Sequence, residues 1–523
     1  MHPAARVLLA VTMLSATAAP LGAQPAAGSP FEAGTFTPAN TIDKLVLKRL
    51  RQKGIPPANL CSDAVFMRRV YLDVIGTLPE PMQVRAFLTD RRADKRGRLI
   101  DALMKRPEFA DYWAQRWGDL LRIKAEFPIN LWPNGVQAYS RWIKQAVRNN
   151  MPYDRFAREL LTSSGSNFRV PQVNFYRAIQ GQDPSAIAAA AALTFMGSRV
   201  EKWPADRRAG FEAFFSRVAY KKTAEWKEEI VYLDPRPAGP VDAVFPDGKT
   251  VRIPPGKDPR VVFADWLITP DNRWFTRNAV NRVWAWLLGR GIIHEPDDIR
   301  PDNRPVHPEV LAFLEKELVR SKYDLRQLYR LILNSSTYQQ SPIPRPKARN
   351  AQAMFACYPV RRLDAEVLID ALNWISGGRE SYSSAIPEPF TFIPEEERTI
   401  ELADGSITSQ FLEMFGRPSR DTGMHTERNN KTSQAQQLHL LNSSSVQDKI
   451  NKSWRLRNLY RYARGNQNRM IDMVYVTILS RPPTPAERNA AGKYFRVKGI
   501  GTRNGTIDLA WALINTKEFL YRH

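Results

Sequence analysis

Helical periodicity runs through most of this chain. From Thr41, the stretch "TIDKLVLKRLRQKG" places Ile42, Val46 and Leu50 on one face of a helix and stops at Gly54. Further amphipathic segments joined by short loops follow it, and the same periodicity resumes at residue 263. The pattern therefore predicts two helical domains, residues 41–228 and residues 263–523.

Residues 229–262 break this pattern. The stretch "EIVYLDPRPAGPVDAVFPDGKTVRIPPGKDPRVVF" mixes β-branched residues with proline and glycine, and Asp247 and Gly248 form a typical hairpin turn. We expect a small β-rich connector here. The predicted fold class is thus mainly α, with two helical domains and a small β-hairpin element between them.

The first residues have the layout of a secretory signal peptide. Arg6 precedes an uncharged apolar run that ends in small residues around residues 21–23, and a spacer rich in proline, alanine and glycine follows. We expect a signal peptide over residues 1–23, a linker over residues 24–40, and export to the periplasm, the cell surface or the medium. No later segment approaches the ~20 uninterrupted apolar residues of a transmembrane span.

The chain is strongly basic. Its formal net charge is +23, and removal of Arg6 with the signal peptide leaves +22. Such a charge favours polyanionic partners. Export shifts the expected partner from nucleic acid to acidic or sulfated polysaccharide, anionic lipid head groups or another envelope polyanion. The alternative is a basic surface that only keeps the protein soluble.

Only two cysteines occur, Cys61 and Cys357. In an oxidising compartment they are candidates for one disulfide, and two buried free thiols are the alternative. Neither cysteine has the spacing of a metal ligand.

The densest polar cluster is "GRGIIHEPDDIRPDNRPVHPEV", a loop between two helices. Carboxylate and imidazole groups close together in a loop suit a divalent cation. The favoured alternative is helix capping, because the end of the loop precedes the amphipathic stretch "VLAFLEKELV". No other cofactor is expected. The candidate metal ligands are His294, Asp297, Asp298, Asp302 and His307.

Two arginine-rich segments are candidates for anion or sugar binding. They are "YPVRRLDAEVLIDALN" and "FGRPSRDTGMHTERNNKTSQAQQLHLLNSSS". A guanidinium offers a fork of donors to sulfate, carboxylate or sugar hydroxyls. Surface ion pairs, or a loop-to-helix network that satisfies backbone groups, are the alternatives. The candidate ligand-binding residues are Arg361, Arg362, Arg417, Arg420, Arg428 and Asn429.

Familiar catalytic signatures are missing from the sequence. It contains no G-x-S-x-G, P-loop, G-x-G-x-x-G, H-E-x-x-H or C-x-x-C-H motif. Whether the protein is an enzyme stays open at this stage. Paired carboxylates for glycoside hydrolysis remain an alternative, because the fold sets their separation.

Two long stretches carry a family resemblance. "AVFMRRVYLDVIGTLPEPMQVRAFLTDRRADKRGRLIDALMKRPEFADYWAQRWGDLLR" resembles domain of unknown function 1549, a secreted, cytochrome-like (PSCyt-type) domain first described in planctomycetes. "FADWLITPDNRWFTRNAVNRVWAWLLGRGIIHEPDDIRPDNRPVHPEVLAFLEKELVRSKYDLRQLYRLILNSSTYQQS", with "YPVRRLDAEVLIDAL" and "LSRPPTPAE", resembles its companion, domain of unknown function 1553 (PSD-type). The resemblance implies an exported bacterial envelope protein, often encoded beside a secreted sulfatase-like protein that is a possible partner.

The resemblance also bears on haem. Many relatives continue the "F-x-G" of residues 195–197 into C-x-x-C-H, and some carry cysteines near the stretch that reads here "RDTGMHTERNN". Here Gly197 is followed by "SRVEKWPADRRAGFEAFF", so this chain resembles a branch that lacks the haem-binding motif.

Our expectation from the sequence is an exported envelope protein that binds a polyanionic or glycan-like partner through arginine and tryptophan surfaces, without haem. One alternative is a glycan-active hydrolase that uses Asp297, Asp298, His307 or Glu366 as acid, base or metal ligand. A redox protein is a second alternative, disfavoured by the missing C-x-x-C-H motif.

Overall fold

The computed structural model describes residues 29–236, 238–346, 348–387 and 391–523. The expected signal peptide, residues 1–23, and the first part of the linker lie outside the described residues. As predicted, the fold is mainly α, and its strands form only short antiparallel pairs.

The first half is a series of helices joined by short loops. They are α1 (Thr41–Gln52), α2 (Asp63–Val74), α3 (Pro81–Thr89), α4 (Lys95–Leu103), α5 (Pro107–Leu120), α6 (Trp132–Arg148), α7 (Tyr153–Thr162), α8 (Asn174–Arg177), α9 (Pro184–Met196) and α10 (Ala205–Glu212). Local sequence sets their ends. Asn40, for example, forms a capping box with Asp43 at the start of α1, and Gly197 ends α9 with a left-handed φ of 61°.

Short strands surround and follow these helices. They are β1 (Glu32–Gly34), β2 (Leu60–Cys61), β3 (Gly165–Ser166), β4 (Val218–Lys222), β5 (Glu229–Leu233), β6 (Val241–Val244) and β7 (Thr250–Ile253). Strands β6 and β7 pair antiparallel around the turn at Asp247 and Gly248, which confirms the hairpin. A second sheet has the order β3-β5-β4. The β-rich connector thus begins at residue 218, earlier than the expected residue 229, because β4 pairs along its whole length with β5.

The second half returns to helices. They are α11 (Pro259–Leu267), α12 (Arg273–Leu288), α13 (Pro308–Arg320), α14 (Leu325–Leu333), α15 (Ala365–Ser376), α16 (Gln410–Met414), α17 (Gln434–Asn442), α18 (Ser444–Asn451), α19 (Trp454–Ala463), α20 (Gln467–Leu479), α21 (Pro485–Phe495), α22 (Gly501–Ile514) and α23 (Lys517–Leu520). Strands β8 (Arg361–Arg362) and β9 (Tyr521–Arg522) pair antiparallel and join the start of α15 to the C-terminal segment.

The two halves share one hydrophobic core. Trp113 on α5 lies with its ring centroid 5.5 Å from that of Trp286 on α12 and 4.3 Å from that of Tyr329 on α14. Phe211 of α10 makes a T-shaped contact with Phe263 of α11, and the two ring centroids are 5.1 Å apart. The halves are therefore packed into each other rather than joined by an extended connector.

Among the helices of the described residues, none combines the length and the apolar character needed to cross a bilayer.

Candidate functional site

The two arginine-rich segments come together in the fold. Arg362 on β8 donates from Nη2 to the carbonyl oxygens of Phe415, at 2.6 Å, and Asn429, at 3.0 Å. This brings the start of α15 against the loop of residues 415–430. Arg361 points elsewhere: its Nη2 reaches Asp73 of α2, at 2.8 Å, and the carbonyl of Leu287.

Three buried carboxylates stand at the centre of this junction. Asp119 lies on α5, and Asp364 and Glu366 lie at the N-terminal end of α15. Arg428 spans two of them, with contacts of 2.7 Å to Asp119 and 2.7 Å to Glu366. Arg420 contacts Asp119 at 3.0 Å. We call the three carboxylates and their side-chain partners the junction network. These partners are Arg420, Arg428 and the groups that bond to Asp364, namely Arg116, Arg522, Tyr112 and Asn430.

Asp364 collects donors from distant parts of the chain. Its carboxylate accepts from Arg522 of β9 at 2.6 Å, and it also pairs with Arg116 of α5. Tyr112 donates to it from 3.3 Å, and the side-chain amide of Asn430 donates from 2.8 Å. The first half, the loop before α17 and the C-terminal segment therefore meet at one carboxylate.

The arginines of the network keep Asp364 and Glu366 ionised. Burial by itself raises the pKa of Glu366, but the charge and hydrogen bonds of Arg428, together with the charge of Arg417, bring it to about 2. Burial also opposes ionisation of Asp364, yet Arg116, Arg522 and Arg428 hold the pKa of that carboxyl well below its usual value.

The candidate arginines therefore make their bonds inside the protein. The side chains of Arg417, Arg420 and Arg428 are exposed by 2, 1 and 7% respectively. Arg417 donates to the carbonyls of Ile407 and Asp404 and lies 3.4 Å from Glu366. Asn429 is exposed, and its side chain accepts from the backbone of Lys431. The geometry of these guanidiniums suits a structural junction between the halves.

The candidate metal ligands point to different partners. Asp297 is fully buried and lies 3.3 Å from Arg282, while Asp298 pairs with Lys202 at 3.0 Å. Asp302 is on the surface beside Arg300, at 3.3 Å, and His294 is exposed. Among the described residues, no group of three or more His, Cys, Asp or Glu side chains is placed to hold a metal ion.

His307 is the N-cap residue of α13, the position expected from the sequence, but its side chain does not cap the helix. Its Nε2 instead lies 2.9 Å from the carbonyl of Met354. With Asp297 paired to Arg282 and Glu366 held by Arg428, these side chains do not converge on one cleft. The geometry gives no support to a hydrolase built on them.

Both cysteines are buried, and the structure holds both as free thiols. This is the second of the two alternatives for Cys61 and Cys357. Burial raises the pKa of the Cys357 thiol to about 12.

A run of cations extends along α19, and its residues are not among the candidates named from the sequence. The stretch from Lys449 to Arg469 carries seven Lys and Arg residues, and no Asp or Glu occurs between Asp448 and Asp472. Such a run of like charge is a signal that can be read from sequence.

Helical spacing places three of these seven cations on one face. Arg457, Arg461 and Arg464 follow each other at intervals of four and three residues, so they line one side of α19 and its C-cap. All three are exposed, and none forms an ion pair with a described residue. We call these three residues the basic face of α19. The opposite side is buried through Leu456 and Ala463 against α15, α20 and α22.

Aromatic rings flank the basic face. The exposed fractions are 49% for Trp454, 47% for Tyr460 and 64% for Tyr462. Trp454 is held in place because its indole N–H donates to the carbonyl of Gly377 at 2.8 Å. The guanidinium of Arg455 lies between Trp374 and Trp454, 4.7 Å and 5.4 Å from the two ring centroids. The result is a surface of exposed cations beside exposed rings.

Fold and junction together define a mainly helical protein of two regions that are locked by a shared core and a buried ion-pair network. Residues 41–202 match the family model PSCyt2, a protein of unknown function (DUF1549), and residues 259–495 match PSD1, a protein of unknown function (DUF1553). The chain thus combines a PSCyt2 region with a PSD1 region, which confirms the resemblance. Strands β4 to β7 lie between the two matched ranges. No curated protein and no solved structure matches the chain.

Proposed function

We propose that this protein binds an anionic polysaccharide, sulfated or uronic, through the basic face of α19. The observation that carries the proposal is the row formed by Arg457, Arg461 and Arg464, exposed and without ion-pair partners among the described residues. At a rise of about 1.5 Å per residue the row is about 10 Å long. A row of exposed cations complements a polymer that repeats its negative charges.

The flanking rings favour a glycan over other polyanions. Trp454, Tyr460 and Tyr462 present flat, partly apolar faces on which the C–H face of a sugar ring packs. Leu456 and Ala463 of α19 are buried and Leu459 is partly buried, so the helix has no free aliphatic stripe to insert into a lipid surface. An anionic membrane is therefore a poorer fit than a hydrated polymer.

Binding is tested with immobilised heparin-type and polyuronate chains, with neutral dextran as the negative control. The variant Arg457→Gln/Arg461→Gln/Arg464→Gln removes the row. The matched control Arg51→Gln/Lys221→Gln/Lys222→Gln removes three exposed cations elsewhere and leaves the same net charge. We expect the first variant to lose at least tenfold in affinity and the control to lose less than threefold.

Two outcomes would overturn the proposal. One is equal loss in the two triple variants, which would mean that only net charge matters. The other is tighter binding to anionic vesicles or duplex DNA than to either polysaccharide at the same salt concentration.

We further propose that the protein is exported and acts in the cell envelope. The support is the apolar segment after Arg6 and the small residues that follow it. N-terminal sequencing of the protein purified from the producing cells tests this, with a mature chain that begins near residue 24 expected. A chain recovered from the cytoplasm with residues 1–23 intact would contradict it. A sulfatase-like secreted partner that acts on the same sulfated glycan fits this placement.

A further inference from the structure

A cavity of about 260 Å³ lies beside the junction, away from α19. One wall is the helix α9, whose residues Ala186, Ala189, Ala190 and Leu193 line it. Their spacing of three and four residues puts them on one helix face, and three of the four side chains are single methyl groups. The short side chains of this alanine-rich helix therefore leave room for the cavity and give it an apolar wall.

The remaining lining is largely polar. It includes Arg122 after α5, Arg199 in the turn after α9, and Asp421 and Thr422 from the loop of residues 415–430. Asp421 is neutralised by Lys124, whose Nζ lies 2.7 Å from it. Glu201 lines this side as well, so the cavity has one apolar wall and one wall that carries two guanidiniums, the paired carboxylate of Asp421 and the carboxylate of Glu201.

Arg122 is the unusual member of this wall. Its side chain belongs to a residue that is only 6% exposed, yet its Nη1 has no hydrogen-bond partner among the described residues. The one hydrogen bond of its guanidinium goes from Nε to the carbonyl of Thr422, at 3.1 Å. No carboxylate of the described residues forms an ion pair with it. Burial lowers the pKa of Arg122 to about 10, against the weaker opposing effects of Tyr139, Glu427 and Asp297.

Single nitrogens without a hydrogen-bond partner also occur in other buried arginines, Arg68 among them, but several of these arginines have more partners than Arg122. Arg68 donates to two backbone carbonyls and Arg69 to three, and Arg428 is held between Asp119 and Glu366. A guanidinium buried without such partners is unfavourable. An anion in the cavity would give the guanidinium of Arg122 a counter-ion. Arg199, whose Nε is also without a hydrogen-bond partner among the described residues, stands on the same wall.

We propose that this cavity binds one small hydroxylated organic anion, whose carboxylate or sulfate pairs with Arg122 and Arg199 while its ring packs on the alanine face of α9. The volume is slightly below the ~300–1,000 Å³ of pockets for drug-sized ligands, so a single sugar ring suits it. The site is separate from the basic face of α19 and uses none of its residues. Either site can fail its test without the other.

The test is isothermal titration of the full protein with glucuronate, with glucose 6-sulfate, with glucose and with inorganic sulfate. We expect saturable binding of glucuronate or glucose 6-sulfate, with at least tenfold weaker binding of glucose and of inorganic sulfate. The titrations with glucuronate and with glucose 6-sulfate distinguish a carboxylate ligand from a sulfated one. Absence of saturable binding by both acidic sugars would overturn the proposal.

Two variants locate the binding. Arg122→Gln removes the charge, and Ala189→Leu fills the cavity but leaves Arg122 in place. We expect each to weaken binding at least tenfold, whereas Arg326→Gln, which removes an arginine bonded to backbone carbonyls outside the cavity, leaves it unchanged. Binding that survives Ala189→Leu would overturn the proposal, even if Arg122→Gln failed to fold.

Thermal melting gives a second readout. Because Arg122 is short of partners without ligand, Arg122→Met is expected to melt at or above the temperature of the wild type in the absence of sugar. A large loss of thermal stability in Arg122→Met would show a structural role and overturn the assignment.

Discussion

Arg522 and Asp364 meet in the interior, with Nη2 of the arginine 2.6 Å from Oδ2 of the aspartate and side-chain exposures of only 1 and 2%. Arg522 lies on β9 and Asp364 precedes α15, and the pairing of β8 with β9 sets this contact. Arg116 of α5 contacts the same carboxylate. One carboxylate thus joins segments that are far apart in the chain.

Asp364→Asn is expected to lower the free energy of unfolding by about 3–5 kcal/mol, because it leaves the buried guanidinium of Arg116 without its counter-ion and removes the nearer of the two counter-ions of Arg522, whose other partner is Asp73. Urea unfolding measures the change. Asp302→Asn serves as the control, since Asp302 is exposed and its pair with Arg300 should contribute less than ~1 kcal/mol. Equal effects of the two substitutions would contradict the structural role of Asp364.

The junction network should also make stability depend on pH in the acid range. The pKa of Glu366 is about 2 in the folded protein, against its ordinary value of 4.5, because Arg428 and Arg417 outweigh the effect of burial. The folded protein then binds fewer protons than the unfolded chain between these values. The stabilisation is therefore complete above about pH 5 and is lost as the pH falls towards 2.

Glu366→Gln removes this dependence. Its free energy of unfolding should lie below that of the wild type at pH 7, by roughly 3 kcal/mol for a shift of this size. The difference should shrink as the pH falls to 3. A difference that stays constant from pH 7 to pH 3 would show that Glu366 is not held ionised by its arginines.

The loop of residues 415–430 depends on a close backbone approach at Gly416. A Cβ added there would lie 1.8 Å from the carbonyl oxygen of Asn429, and φ is +79°. Gly465 has a similar φ of +76° but open space around it, so it is a matched control. We expect Gly465→Ala to cost about 1–2 kcal/mol from its left-handed backbone alone, and Gly416→Ala to cost clearly more. Comparable losses in denaturant unfolding would contradict this packing.

Thiol titration distinguishes the two states of the cysteines. With Cys61 and Cys357 buried and free, neither should react with a thiol reagent in the native protein, and both should react after unfolding without reductant. A protein that shows no reactive thiol after unfolding without reductant, and two after reduction, would contain the disulfide instead.

Local patterns in the sequence predict much of the fold. Apolar spacing, the helix stop at Gly54 and the Asp247-Gly248 turn are all signals within a few residues, and the structure has the corresponding elements. Strand β4 was missed because it is stabilised by its pairing with β5 rather than by a turn signal of its own.

The charge partners could not be read in the same way. The sequence marks Arg420 and Arg428 as a cluster, but their partner Asp119 lies on a helix of the other half and carries no local sign of this role. Whether an arginine faces solvent or a buried carboxylate is decided by tertiary packing. By contrast, the cationic run around Arg457 is a local signal, and a search for uninterrupted charge would have found it.

Polysaccharide binding through the basic face of α19 is tested most directly by its dependence on salt concentration. The dissociation constant for a heparin-type chain is measured between 50 and 300 mM NaCl for the wild type and for Arg457→Gln/Arg461→Gln/Arg464→Gln. Because three ionic contacts are lost, the slope of log Kd against log salt should fall by about two to three in the variant. The control Arg51→Gln/Lys221→Gln/Lys222→Gln should keep the wild-type slope. Identical slopes for wild type and the α19 variant would contradict the claim that this face carries the binding.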